Sequence, residues 1–182
     1  FDPKRSWRNP ASVTPEGIQD RVPTVQAPRE TIDPRLKEAG ISGWNTGQVL
    51  WLDDAMAALV AKLEELDLAD HTIIVFVSDH GTEAKGGAYM GGTRTAGLVW
   101  RKGGFPGGDR VAAEIQLTDN APTVLDWAGV DYRGKKFDGR SFAGVLEGTE
   151  SKVRDALYFE MGYSRAVMKD GFKYLALRYP EK

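Results

Sequence analysis

The chain has no cysteine among its 182 residues, so neither a disulfide nor a cysteine-ligated zinc site can form within it. That absence leaves the redox compartment open, because a cysteine-free protein suits either environment. No apolar run approaches the 18 residues that a membrane-spanning helix needs. No basic block accumulates: 24 Lys and Arg stand against 26 Asp and Glu, a formal net charge of −2, and nucleic acid is not an expected partner. What remains is an ordinary globular composition, 41% hydrophobic and 27% charged. A chain of this length folding alone buries about two-thirds of its unfolded surface. It starts at Phe1-Asp2-Pro3 with no Met or signal-like region and stops at Tyr179-Pro180-Glu181-Lys182, directly after strand-like sequence. Both ends read as those of a piece of a longer polypeptide.

The most specific stretch is Ile73-Ile74-Val75-Phe76-Val77-Ser78-Asp79-His80-Gly81, followed by Lys85-Gly86-Gly87. A β-branched, apolar run that ends in a carboxylate, an imidazole and a glycine predicts a buried parallel strand. Such a strand delivers two metal-capable side chains to its carboxyl end, where open α/β sheets place their ligands. Before it, Val49, Leu52, Met56, Leu59, Leu63 and Leu66 recur at three- and four-residue spacing and predict a helix with one apolar face. Helix then strand is the repeating unit of a doubly wound sheet.

Residues 1–40 carry Pro3, Pro10, Pro15, Pro23, Pro28 and Pro34 with few apolar residues between, predicting an extended connector over a larger body. A glycine-rich loop spans 81–92, a second short strand 96–100, and Gly103 to Gly108 make a surface turn. Thr118 is a candidate N-cap for a helix that tolerates Pro122 near its first turn, turns Val124, Leu125 and Ala128 inward and stops at Gly129. Segments 156–160, 165–168 and 172–177 read as short antiparallel strands, with Asp170-Gly171 as a hairpin turn. The predicted organisation is a proline-rich connector at 1–44, an α/β core at 45–150 and the start of an antiparallel subdomain at 151–182.

Several side chains could carry chemistry. Asp79 and His80 would point to opposite faces of a continuing strand, but a turn at the strand end brings both to one ion. A carboxylate with an imidazole suits a divalent metal, and Gly81 permits the close turn. The alternative is that Asp79 caps the next segment and His80 is a satisfied core residue. Lys85 among glycines would favour an oxyanion, or it simply faces solvent. Tyr89 either packs or lines the site, and Arg94 most simply holds the loop. No GxGxxG or Walker pattern accompanies these glycines.

The order of these motifs resembles the sulfatase family of the alkaline phosphatase superfamily: an apolar strand, Ser78-Asp79-His80-Gly81, Lys85-Gly86-Gly87-Ala88-Tyr89, Gly91-Gly92-Thr93-Arg94, and a second strand. The likeness continues through 117–130, Asp138-Gly139-Arg140-Ser141 and the terminal hairpin, covering roughly 45–177. The resemblance implies an α/β fold, part of a doubly wound, mostly parallel sheet with helices on both faces, followed by a small antiparallel C-terminal subdomain. It also implies a divalent metal, most simply Ca²⁺ with Mn²⁺ or Mg²⁺ as alternatives, held in part by Asp79 and His80. Lys85 would contact the sulfate, and Tyr89 would help to bind substrate.

Many sulfatases carry Asn in place of His80, a departure that favours a phosphodiester or phosphonate hydrolase as a rival reading. A non-catalytic binding module that kept the fold is a second rival. Family members also bring acidic ligands from an early strand and a formylglycine nucleophile from a Cys/Ser-x-Pro-x-Arg segment; this chain has neither. The resemblance therefore implies the carboxyl-terminal half of a sulfate-ester hydrolase, silent alone and completed by an amino-terminal half. Its substrate would be a sulfate ester, of a saccharide for instance, and its location periplasmic, secreted or lysosomal.

Overall fold

The computed structural model describes residues 12–14, 17–19, 26–81, 83, 85–105, 108 and 110–179. The chain divides into two units, 1–72 and 73–182.

In the first unit, β1 (Ser12–Thr14) and β2 (Gly17–Gln19) pair antiparallel. A 3₁₀ turn at Arg29–Thr31 leads into α1 (Ile32–Glu38), and α2 (Thr46–Glu65) follows. The helix α1 corrects the expectation of an extended connector. Pro34 is the third residue of α1, where an N–H would have no intrahelical acceptor, so this proline does not oppose the helix. Pro3, Pro10, Pro15 and Pro23 lie outside the described residues. The two helices are fastened by Arg35, whose guanidinium donates to both oxygens of Asp54 at 2.8 and 2.9 Å. Ile32 is fully buried, and the Arg29 guanidinium lies over the Trp51 ring at 4.4 Å.

The predicted helix is α2, rich in the Ala, Leu, Lys and Glu that favour helix. It stops in a Schellman turn: the Leu68 N–H donates to the Leu63 carbonyl at 2.8 Å and that of Asp67 to Glu64 at 3.1 Å, with Asp67 left-handed at φ 56°. Its apolar stripe stays open, for Val49, Leu52, Leu59 and Leu66 are all exposed.

In the second unit, β3 (Ile73–Val77) pairs with β4 (Gly97–Arg101), and α3 (Met90–Thr93) is a single turn between them. The pairing is antiparallel, Val75 facing Val99, which corrects the expected parallel arrangement of these two strands. A parallel return needs a crossover of a dozen or more residues that usually carries a full helix, whereas this connection holds only the α3 turn. An apolar run reports burial, and it is silent on strand direction. β3 is only half-buried here rather than covered on both faces.

Further on, α4 (Asn120–Trp127) and α5 (Ala143–Leu146) precede the meander β5 (Leu157–Met161), β6 (Ser164–Lys169), β7 (Phe172–Leu177). The Asp170-Gly171 turn is as expected, both residues at positive φ and Lys169 facing Phe172. Gly129 does end α4, at φ 65° with its N–H on the Asp126 carbonyl. Thr118 is not the cap: Gln116 and Asp119 form a capping box around the 3₁₀ turn Leu117–Asp119, which runs into α4. The inward residues are Pro122 and Thr123 rather than Val124 and Ala128, which are exposed.

The core of this unit gathers Trp127 between Phe105 and Phe142, each ring centroid 5.9 Å away, together with buried Ala143, Leu157 and Ala166. Its polar fastener is Asp119, wholly buried and accepting four bonds. Arg154 donates two, at 2.5 and 2.6 Å, and the backbone N–H groups of Gln116 and Arg140 donate at 2.7 and 2.8 Å. A side chain on Gly139 would meet the Thr118 carbonyl at 2.0 Å, so the Asp138-Gly139-Arg140 segment lies close against the 3₁₀ turn that precedes α4 and brings the Arg140 N–H to Asp119.

Candidate functional site

Beyond Val77 the backbone leaves the sheet. The Ser78 N–H still donates to the Ala96 carbonyl at 3.0 Å, while its hydroxyl donates forward to the His80 carbonyl at 2.9 Å and starts the turn. The His80 N–H donates back to Asp79 Oδ1 at 2.9 Å, folding the carboxylate towards the ring. His80 Nδ1 lies 2.8 Å from the Gly81 carbonyl oxygen, which can only accept, so Nδ1 carries the hydrogen. In the neutral ring Nε2 then presents a lone pair, 3.2 Å from Asp79 Oδ2. Two electron-pair donors facing each other at that distance call for a proton or a cation between them. The Asp79 carboxylate is largely open to solvent at 81% exposure. Holding an imidazole by its other nitrogen to a carbonyl is how metal-binding histidines are oriented.

The turn is held by a backbone contact that only glycine allows. Gly81 donates to the Gly92 carbonyl at 2.9 Å, and a Cβ on Gly81 would lie 2.0 Å from the Gly91 carbonyl oxygen. The glycine loop thus folds back onto the Asp79–His80 corner. Lys85 stands on that loop, exposed and with no hydrogen bond or ion pair among the described residues. Tyr89 is also exposed and precedes α3. The structure therefore brings Asp79 and His80 together, and among the described residues it shows no hydrogen bond or ion pair from Lys85 or the Tyr89 side chain to that pair. A shallow cavity of about 360 Å³ on the same loop is lined by Glu83, Met90, Gly91 and Arg94, none of them the expected site residues.

Sequence reasoning missed two groups. Thr93 donates its hydroxyl to the Tyr89 carbonyl at 3.0 Å, and Lys173, from β7, donates to that hydroxyl at 2.7 Å. No local pattern marks a contact 80 residues apart. Among the described residues no three His, Asp or Glu side chains gather into a metal-sized group. No helix among them is long and apolar enough to cross a membrane.

The sulfatase family profile matches residues 45–130, from the start of α2 to the end of α4. Mouse steryl-sulfatase is 30% identical over 150 residues, covering 70% of this chain and 24% of that protein. The chain belongs to the sulfatase family. Another member, the N-acetylglucosamine-6-O-sulfatase of Bacteroides thetaiotaomicron, is 29% identical over 165 residues, covering 80% of this chain and 29% of its own. The crystal structure of a Pseudoalteromonas sulfatase superposes with a TM-score of 0.57 at 22% identity, over 74% of this chain and 34% of that one. At that identity the likeness is one of fold, and it agrees with the α/β class. The chain spans about a quarter of the length of the curated sulfatases it matches, 24% of steryl-sulfatase and 25% of human arylsulfatase A.

Proposed function

We propose that this chain is the carboxyl-terminal, metal-supplying part of a sulfate-ester hydrolase of the sulfatase family. The observation that carries the reading is the Asp79–His80 corner. A carboxylate and a tautomer-fixed imidazole lie 3.2 Å apart at the end of a strand, under a glycine loop that bears an exposed lysine. The open apolar stripe of α2 and the two-stranded β3–β4 sheet support a larger body, since a two-stranded sheet is marginal alone. So does the quarter of the relatives' length that the chain spans.

In this reading Asp79 Oδ2 and His80 Nε2 are two ligands of a divalent cation, and the remaining ligands come from a preceding amino-terminal part. Ca²⁺ is the proposed ion. The carboxylate suits it, and the imidazole admits Mn²⁺ or Mg²⁺ as alternatives. When bound, the cation supplies positive charge against the oxygens of the sulfate. Lys85 extends its ammonium from the glycine loop to a sulfate oxygen and stabilises the charge that grows there as the ester bond breaks. Tyr89 borders the bound ester. The nucleophile, a formylglycine in this family, comes from the amino-terminal part, because no Cys or matching Ser segment exists in this chain.

A sulfated saccharide is the proposed substrate class, supported by the relative that acts on N-acetylglucosamine 6-O-sulfate and by a neocarrahexaose-bound structural neighbour. That neighbour has a TM-score of 0.59 at 21% identity, over 85% of this chain and 40% of its own. The proposed location is periplasmic, secreted or lysosomal. The rival reading, phosphate or phosphonate ester hydrolysis, is favoured by His80. It is also favoured by a 30% identical relative over 129 residues, a multifunctional alkaline phosphatase superfamily protein of Trinickia caryophylli that covers 64% of this chain and 24% of its own length.

Assay of the complete protein on matched sulfate, phosphate and phosphonate aryl esters separates the two. Sulfate-ester turnover exceeding the other two is the expected outcome, with none from the 182-residue chain alone. A preference for phosphate or phosphonate, or turnover by the isolated chain, would reject the reading.

A further inference from the structure

The glycine loop that folds over the Asp79–His80 corner is tied to a distant element by one side chain. Lys173, in β7 opposite Met168, donates to the Thr93 hydroxyl at 2.7 Å across 80 residues of sequence. Its ammonium also sits 3.8 Å from the Phe159 ring centroid, a cation–π position between β5 and α3. A surface lysine extends its charge into water. This one is half-buried, and burial lowers its pKa. From Thr93 the chain of bonds continues through the hydroxyl to the Tyr89 carbonyl at 3.0 Å. One residue before Thr93, the Gly92 carbonyl accepts the Gly81 N–H at 2.9 Å, and the Gly81 carbonyl in turn faces His80 Nδ1 at 2.8 Å. A contact on the C-terminal meander therefore reaches the imidazole through side-chain and backbone bonds.

We propose that Lys173 is a positioning residue: through Thr93 it fixes the 85–94 loop, and through Gly92 and Gly81 it fixes the orientation of the Asp79–His80 corner. Lys173 touches neither substrate nor metal. What it positions is taken from the sulfatase reading above, but the linkage itself is a property of this chain. It gives the antiparallel meander a role in the site that the meander's own residues do not reveal.

The test compares Lys173→Met, Thr93→Val and the double variant of the complete protein by native-state hydrogen exchange. Methionine keeps the length and the contact with Phe159 while removing the donor. Exchange at the Gly81, Thr93 and Arg94 amides should quicken about tenfold in either single variant, the effect of losing one charge-assisted bond. The double variant should add nothing further, and the Ala166 and Leu175 amides of the meander should be unchanged. KM for the sulfate ester should rise with Lys173→Met, and Lys173→Arg should restore it, since a guanidinium still donates and stacks on the ring.

Unaltered exchange at those three amides, or faster exchange confined to the meander, would overturn the proposal. Exchange is read without metal or substrate. If the wild-type protein turned over no sulfate ester, the reading of the corner would fail while the exchange result still decided the Lys173 linkage.

Discussion

Replacing Asp119 by Asn is expected to destabilise the 73–182 unit by about 3–5 kcal/mol, the usual cost of removing one partner of a buried ion pair. Asp119 is wholly inaccessible and uses both oxygens twice, towards Arg154 and towards the Gln116 and Arg140 amides. An amide would keep one accepting oxygen and turn an N–H against the Arg154 donors. Removing the charge on both sides, as in Asp119→Leu with Arg154→Met, should recover part of the loss. Recovery would be incomplete because the two backbone donors stay unpaired. Denaturant unfolding followed by the fluorescence of Trp127, which packs on Phe142, is the measurement.

The same residue sets an acid limit. Burial alone would raise the Asp119 carboxyl, but the bonds from Arg154, Gln116 and Arg140 outweigh it and hold the group below its ordinary value. The folded state then binds fewer protons than the unfolded one. The contribution is complete above the ordinary Asp value of about 4 and is lost as pH falls through the depressed value. Wild type should lose stability steeply below about pH 4, and Asp119→Asn should show a flatter profile there. Equal profiles would mean that Asp119 does not govern acid unfolding.

Lys85→Ala in the complete enzyme should lower kcat/KM for a sulfate ester by about 10²–10³-fold, the range seen when one preorganised charge-stabilising donor is removed. The lysine is exposed and has no partner among the described residues, so its removal should leave the unfolding midpoint nearly unchanged. That separation of activity from stability distinguishes a substrate contact from a solvent-facing lysine, which would alter neither quantity. If kcat falls with an unchanged KM, Lys85 acts as charge develops; if KM alone rises, it holds the ground-state ester.

Much of the fold was legible because it is written locally. The spacing of Val49 to Leu66 marked α2, the apolar run marked β3, and Asp170-Gly171 marked the β6–β7 turn. What escaped depends on contacts distant in sequence or on facts that composition does not encode. The direction of β4 relative to β3 follows from the connection between them, and the apolar pattern of either strand is the same both ways. Prolines suggested an extended connector, yet Pro34 occupies a helix position that tolerates it. The Asp119–Arg154 pair joins residues 35 apart, and Asp119 looked like an ordinary residue beside a Thr cap.

At the candidate site the Asp-His-Gly order was visible and predicted a tight corner, and the structure has one. The Lys173–Thr93 bond was invisible because the strand that carries Lys173 read only as a hairpin arm.

The central claim is that Asp79 and His80 are ligands. Its most direct test is calorimetric titration of Ca²⁺, and in parallel Mn²⁺ and Mg²⁺, into the metal-stripped complete protein, wild type against Asp79→Asn. The account predicts one bound divalent ion in the wild type, and an affinity at least a hundredfold lower in the variant, since even outer-shell changes cost about 10–100-fold. Equal affinity in the two proteins, or no binding by either, would contradict it.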